Sequence, residues 1–348
     1  MKFNRLTKFI SVLTAVACVA AVAPAAQVQA EEVRSVYTNE VITPAQAATR
    51  PIAVMMPTDK VAQPSYGISH AKVLYEIMEE GNISRQLAVI DDWQGLSRIG
   101  NIRSCRAYYI PQATEWDPIL IHFGGVCYMK DRITMPDINN LSGTYEYGTG
   151  GSAPGAGSFF RTSDRKAPHN AYISGSGITK AAGQQGYSLT IRPEFYNAKH
   201  FTFAQGVNTL EQYGAAAVTA NNISLAQIFP YTKSSFTYDA STGLYKKYIH
   251  GNAHVDGANG QQLAFANVII QNTKWAVLDA KGYLTFQNID NTEDGYYFTK
   301  GKGIHVRWAK TTDYTPTVYF DDNGNEIQLN EGKTYIAIAQ KDRSVSFS

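Results

Sequence analysis

The clearest alternation of apolar and polar positions lies in "AKVLYEIMEEGNISRQLAVIDDW", residues 71–93. Two runs rich in β-branched and aliphatic residues flank Gly81-Asn82, a pair suited to a turn with positive φ. The pattern predicts a hairpin in which residues 80 and 83 pair. That register places residue 78 opposite 85 and residue 76 opposite 87. Glu76, Glu80 and Arg85 would then share one face. Helical spacing through Ala71, Leu74, Tyr75 and Met78 competes with this reading, and the turn chemistry favours the hairpin.

"PILIHFGG" (118–125) reads as a short buried strand that ends at His122 and opens into a glycine-permissive loop. Ligands in open α/β sheets favour such carboxyl ends. "SGTYEYGTGGSAPGAGS" (142–158) is too rich in glycine and serine for a regular element and predicts a loop or lid. No phosphate-loop motif follows it.

Beyond residue 225 the texture changes. "SSFTYDASTGLYKKYI", "NVIIQN", "WAVLDAKGYLTFQNI" and "TVYFDDNGNEIQL" are short β-rich runs. Hairpins are expected at Ala280-Lys281-Gly282 and Asn323-Gly324. The expected fold class is α+β, a mixed α/β domain over 50–215 followed by a smaller antiparallel β-rich domain over 225–342.

Residues 1–30 stand apart. Lys2, Arg5 and Lys8 precede the apolar "FISVLTAVACVAAVA", and Val28-Gln29-Ala30 offers a cleavage site, so a secretory signal peptide is expected. A lipoprotein signal with Cys18 as the lipidated residue is the rival reading. Residues 31–49 lack an apolar period and are expected to form an extended leader. Of the 31 Lys and Arg, three fall in the signal segment, leaving 28 against 29 acids. This balance argues against nucleic acid as a partner. No later run is apolar over the ~20 residues a membrane span needs.

Composition leaves Cys105 and Cys127 in the processed chain. An exported compartment favours oxidation, so a Cys105–Cys127 disulfide is expected. No HExxH or CxxC motif is present. His250, His254 and Asp256 have metal-compatible spacing, but Gly251-Asn252 interrupts the element that would align them, and neither metal nor cofactor is expected.

The unusual chemistry is "FFRTSDRKAPHNAYIS", residues 159–174. Arg161, Arg165, Lys166 and His169 fall within nine positions, with Asn170 beside them. With Arg85, Arg103 and Arg106 they form a cationic set. Arginine forks grip carboxylate and phosphate, so their convergence implies an anionic ligand. Glu80, His122 and His169 are the acid–base candidates: a histidine titrates near neutrality, and Glu80 is expected on the face of Arg85.

"RPIAVMM", "VLYEIMEEGNISRQLAVI", "RIGNIRSCRAYY", "IHFGG" and "RKAPHNAYIS" resemble segments of the YerB family, as do "HVDGANGQQLAFANVII" and "GKGIHVRW". The resemblance runs in order over residues 50–340. It implies an exported or lipid-anchored, two-domain bacterial protein with no carried-over reaction. Asn82 replaces a glycine usual in the hairpin turn, Cys105 and Cys127 replace other small residues, and the lipid-attachment signal is poor. The expected function is binding of an anionic cell-wall component, a phosphorylated glycan or a peptidoglycan peptide, in an Arg/His-lined cleft. The alternative is a wall-remodelling enzyme using Glu80 or His122.

Overall fold

Three strands, Ile52–Pro57 (β1), Val73–Met78 (β2) and Ser84–Ile90 (β3), are buried at every position. Continuous burial is the mark of strands covered on both faces, which accounts for their near-continuous apolar runs. The computed structural model describes residues 32–144 and 153–348. The signal segment with Cys18, and the centre of the 142–158 loop, lie outside the described residues.

The hairpin between β2 and β3 forms, but in a different register from the expected one. Glu76 pairs with Gln86, Ile77 with Arg85 and Met78 with Ser84. The turn is one residue longer: Glu79 N donates to Ile83 O at 2.7 Å, enclosing Glu80, Gly81 and Asn82. Gly81 and Asn82 do adopt positive φ, 73° and 58°. A one-residue slip moves a strand's side chains to the other face. Glu76 and Arg85 therefore point to opposite sides of the sheet.

The remaining main-sheet strands are Ile119–His122 (β4), Asn140–Ser142 (β5), Val218–Thr219 (β6), Asn267–Thr273 (β7), Asn291–Thr299 (β8), Lys302–Lys310 (β9), Val318–Phe320 (β10) and Thr334–Gln340 (β11). Among the described residues they make one eleven-stranded sheet in the order β10-β9-β8-β7-β11-β2-β3-β1-β4-β5, with β6 on β9. The strands β1, β4 and β5 run parallel, and β2, β11 and β7 share their direction. Their carboxyl ends meet along one edge.

The amino-terminal and carboxyl-terminal halves join where β2 pairs with β11 in parallel. A separate six-stranded sheet, built mainly from Asn222–Ser224, Ser235–Asp239 and Leu244–Ile249, packs where Glu76 faces. The Glu76 carboxylate receives Ser84 Oγ (2.7 Å), Gln86 Nε2 (2.9 Å), Ser234 Oγ (2.9 Å) and Tyr335 Oη (2.9 Å), with Lys247 Nζ at 3.1 Å. Glu115 and Lys310 make a second buried pair across the halves, at 2.8 Å. The helix Gly175–Gln185 is the longest described. Ser174 Oγ caps it by accepting from Gly177 N, and Gly186 ends it at φ 70°.

Two further expectations are corrected. The leader is folded rather than extended: Arg34 bridges Val41, and Pro44–Ala48 is a helical turn with a Thr43/Gln46 capping box. Tyr37 from this segment is buried against Trp116, which anchors it. No disulfide joins Cys105 to Cys127. Cys105 is buried beside Arg106 O, whereas Cys127 opens the exposed turn Cys127–Met129.

Candidate functional site

The segment 101–106 crosses the carboxyl edge of β1 and β4. Arg103 N donates to Met55 O and Arg103 O accepts from Phe123 N, both at 2.9 Å, so its backbone is wedged between the two strands. Cys105 N continues the contact to Gly124 O. Asp59 follows β1, while Glu79 and Glu80 follow β2 at the same edge.

The stretch 159–174 is a hairpin. Phe160 pairs with Tyr172 and Arg161 with Ala171, which places "TSDRKAPHN" at its tip. The tip is tied down from several sides. Arg98 is stacked between Tyr66 and Tyr172, 3.7 and 3.9 Å from their ring centres, and binds Asp164 at 2.9 Å. Arg165 donates to the carbonyls of Ala62 and Pro64. Asn101 Nδ2 donates to His169 O at 2.9 Å and to Ala62 O at 2.8 Å. These contacts bring His169 to the loop that carries Asp59.

The predicted cations divide into three groups. Arg85 and Arg106 have carboxylate partners within the fold. Arg85 Nη2 lies 2.8 Å from Glu79 Oε2, and Arg106 Nε donates to Glu80 Oε2 at 3.1 Å. Burial raises the Glu79 pKa despite Arg85 and Arg106. Burial also works to raise Glu80, but Arg106 outweighs it and the net shift is downward. Arg161 and Asn170 satisfy each other at 2.6 Å, Arg161 lies over Phe123, and Lys166 is exposed.

Arg103 and His169 form the third group. Among the described residues the Arg103 guanidinium makes no hydrogen bond or ion pair, and its Nη1 is buried. Burial lowers its pKa, and so does the charge of Arg85; Asp59 and Glu79 act the other way. His169 Nδ1 is likewise buried and unpartnered. Burial lowers the His169 pKa, opposed by Asp59 and reinforced by Arg103, Arg165 and Arg85. Asp59 Oδ2 is a third buried atom without a partner. Buried polar atoms are rarely left this way, and in the same cluster Glu79 Oε1 and Oε2 and Arg85 Nε also lack a hydrogen-bond partner.

The other acid–base candidates are enclosed. His122 has 0% exposure, with Nδ1 3.0 Å from Gly124 O and Nε2 3.1 Å from Asn140 Oδ1. Asp256 of "HVDGANG" accepts from Gly67 N, Ser69 N and Ala258 N, a tie between the halves. The sequence reading passed over Asp59 and Glu79. Their signal was position: Glu79 directly follows β2 and Asp59 lies two residues past β1, at the edge where the arginines were expected.

Family models match residues 37–188 and 225–336, as the N-terminal and C-terminal domains of a protein of unknown function, DUF3048. The chain belongs to the DUF3048 family. It is 27% identical over 292 residues to "Putative lipoprotein YerB" of Bacillus subtilis (strain 168), covering 83% of this chain and 81% of that one. A crystal structure of the YerB protein from Bacillus subtilis superposes with a TM-score of 0.73 at 24% identity, over 90% of this chain and 100% of the other. The DUF3048 fold is thus shared. No helix of the described residues is long and apolar enough to cross a membrane.

Proposed function

We propose that this DUF3048 protein is exported to the cell envelope and binds an anionic wall component at the carboxyl edge of β1, β2 and β4. Similarity to a relative named as a lipoprotein supports the location. The observation that carries the binding reading is Arg103. Its neighbours Arg85 and Arg106 have carboxylates, whereas Arg103 lies half-buried without a hydrogen-bonding partner. A fixed guanidinium held in this way gains most from an external anion. His169 supplies a second polar contact, and exposed Arg161 and Lys166 belong to the same hairpin.

A wall-remodelling enzyme is the second reading, and it draws on His169. Burial shifts its pKa downward, which favours the neutral imidazole, the form a general base needs. Incubating the processed protein with purified peptidoglycan and analysing released fragments separates the two readings.

The binding test is calorimetric titration with soluble muropeptides and with inorganic phosphate. Arg103→Ala is expected to weaken binding by about 1.5–3 kcal/mol, the range for hydrogen bonds to charged groups. Wild-type protein that binds neither probe, or Arg103→Ala that binds as wild type, overturns the reading.

A further inference from the structure

The charges around Arg103 bear on what kind of anion fits. Arg103 lies within charge range of Asp59 and Glu79 as well as of Arg85 and Arg106, so it is not surrounded by cations alone. Carboxylates so close to Arg103 disfavour a second negative charge beside it, which weighs against a dianion such as phosphate.

The pairing inside the cluster is uneven. Arg85–Glu79 and Arg106–Glu80 close into ion pairs. Arg103 and Asp59 feel each other's charge, yet they do not close into one. Each keeps a buried polar atom without a partner, a donor at Arg103 Nη1 and an acceptor at Asp59 Oδ2. Opposite charges left apart in a half-buried site lose the attraction that would offset their desolvation. A bridging group with an acceptor at one end and a donor at the other restores it.

Resting on the anion-site reading above, we infer that the ligand is a zwitterion of the amino-acid or short-peptide type, its carboxylate on Arg103 and its ammonium on Asp59. His169, which can donate or accept, lies beside both. Of the two wall chemistries considered, this selects the peptide over the phosphorylated glycan.

The test compares three probes on the full processed chain by calorimetry: alanyl-alanine, N-acetyl-alanyl-alanine and inorganic phosphate. Acetylation removes the ammonium and keeps the carboxylate. The zwitterion is expected to bind at least about tenfold more tightly than its acetylated form, a difference of about 1.4 kcal/mol. Asp59→Asn should remove that preference, while Arg103→Ala should weaken both peptides. The acetylation comparison needs only wild-type protein, so it holds even if Asp59→Asn fails to fold. Equal binding of the two peptides, or tighter binding of phosphate, sinks the inference and leaves the anion site standing. If no probe binds, both fall.

Discussion

At the scale of single residues, the cationic set shows why residue type is legible before partnership. Arg85, Arg103, Arg106 and His169 all reach one edge of the sheet, as their neighbourhoods in sequence suggested. Which of them is internally compensated depends on the register of β2 and β3, and that slipped by one residue. Arg85 and Arg103 should therefore answer differently to truncation. Arg85 is 2% exposed and faces Glu79, which is 1% exposed. Removing Arg85 leaves buried Glu79 with only the longer Arg106 contact at 3.6 Å, and breaking a buried pair costs about 3–5 kcal/mol. Arg85→Ala is expected to show that loss in urea denaturation. Arg103→Ala should stay within about 0.5 kcal/mol of wild type, because repulsion with Arg85 is relieved. Equal effects of the two substitutions would show that Arg103 is a structural residue too.

The element scale shows what periodicity can and cannot specify. The β2–β3 runs, the strand at His122 and the hairpins after residue 225 follow from apolar patterning and turn chemistry. Register does not, since Glu80-Gly81-Asn82 and Gly81-Asn82 are both acceptable turns and only packing on the two faces separates them. Close strand approach is equally hidden. Gly295 lies in β8 opposite Gln271, and a Cβ there would sit 2.3 Å from the carbonyl oxygen of Ile270. That oxygen belongs to the backbone of a central strand and cannot turn aside. Gly295→Ala is expected to destabilise by about 1–3 kcal/mol, as overpacking does. A melting temperature equal to wild type would mean that the β7–β8 contact is looser than described.

Over the whole molecule, the change of texture near residue 225 was visible in the sequence, but the joining of both halves in one sheet was not. Parallel pairing of β2 with β11 brings together residues more than 250 positions apart, and no local signal encodes it. Two buried ion pairs, Glu76–Lys247 and Glu115–Lys310, cross the same boundary, and each holds a histidine against it. His254 lies among Lys247, Glu76 and His250, and His200 stacks on Trp116 beside Glu115 and Lys310. Burial depresses both histidines from 6.5 to about 3, more than Glu76 or Glu115 can offset. The unfolded chain therefore binds more protons than the native state between pH 6.5 and about 3. The stability these neutral histidines confer is present above pH 6.5 and is lost as pH falls through that window. Each contributes a slope of about 1.4 kcal/mol per pH unit. Glu76 adds to the loss only below pH 4.5. There, burial alone would raise its pKa, but Lys247 and the hydrogen bonds it accepts bring it down to about 2. Urea denaturation at pH 7.5, 6 and 5 should show falling stability. His254→Phe should lower that slope, because it removes one of the histidines, with His200 and His169, that titrate low in the native state. Stability that is flat from pH 7.5 to 5, or a slope untouched by His254→Phe, would mean that the boundary between the halves admits water and leaves these histidines solvated.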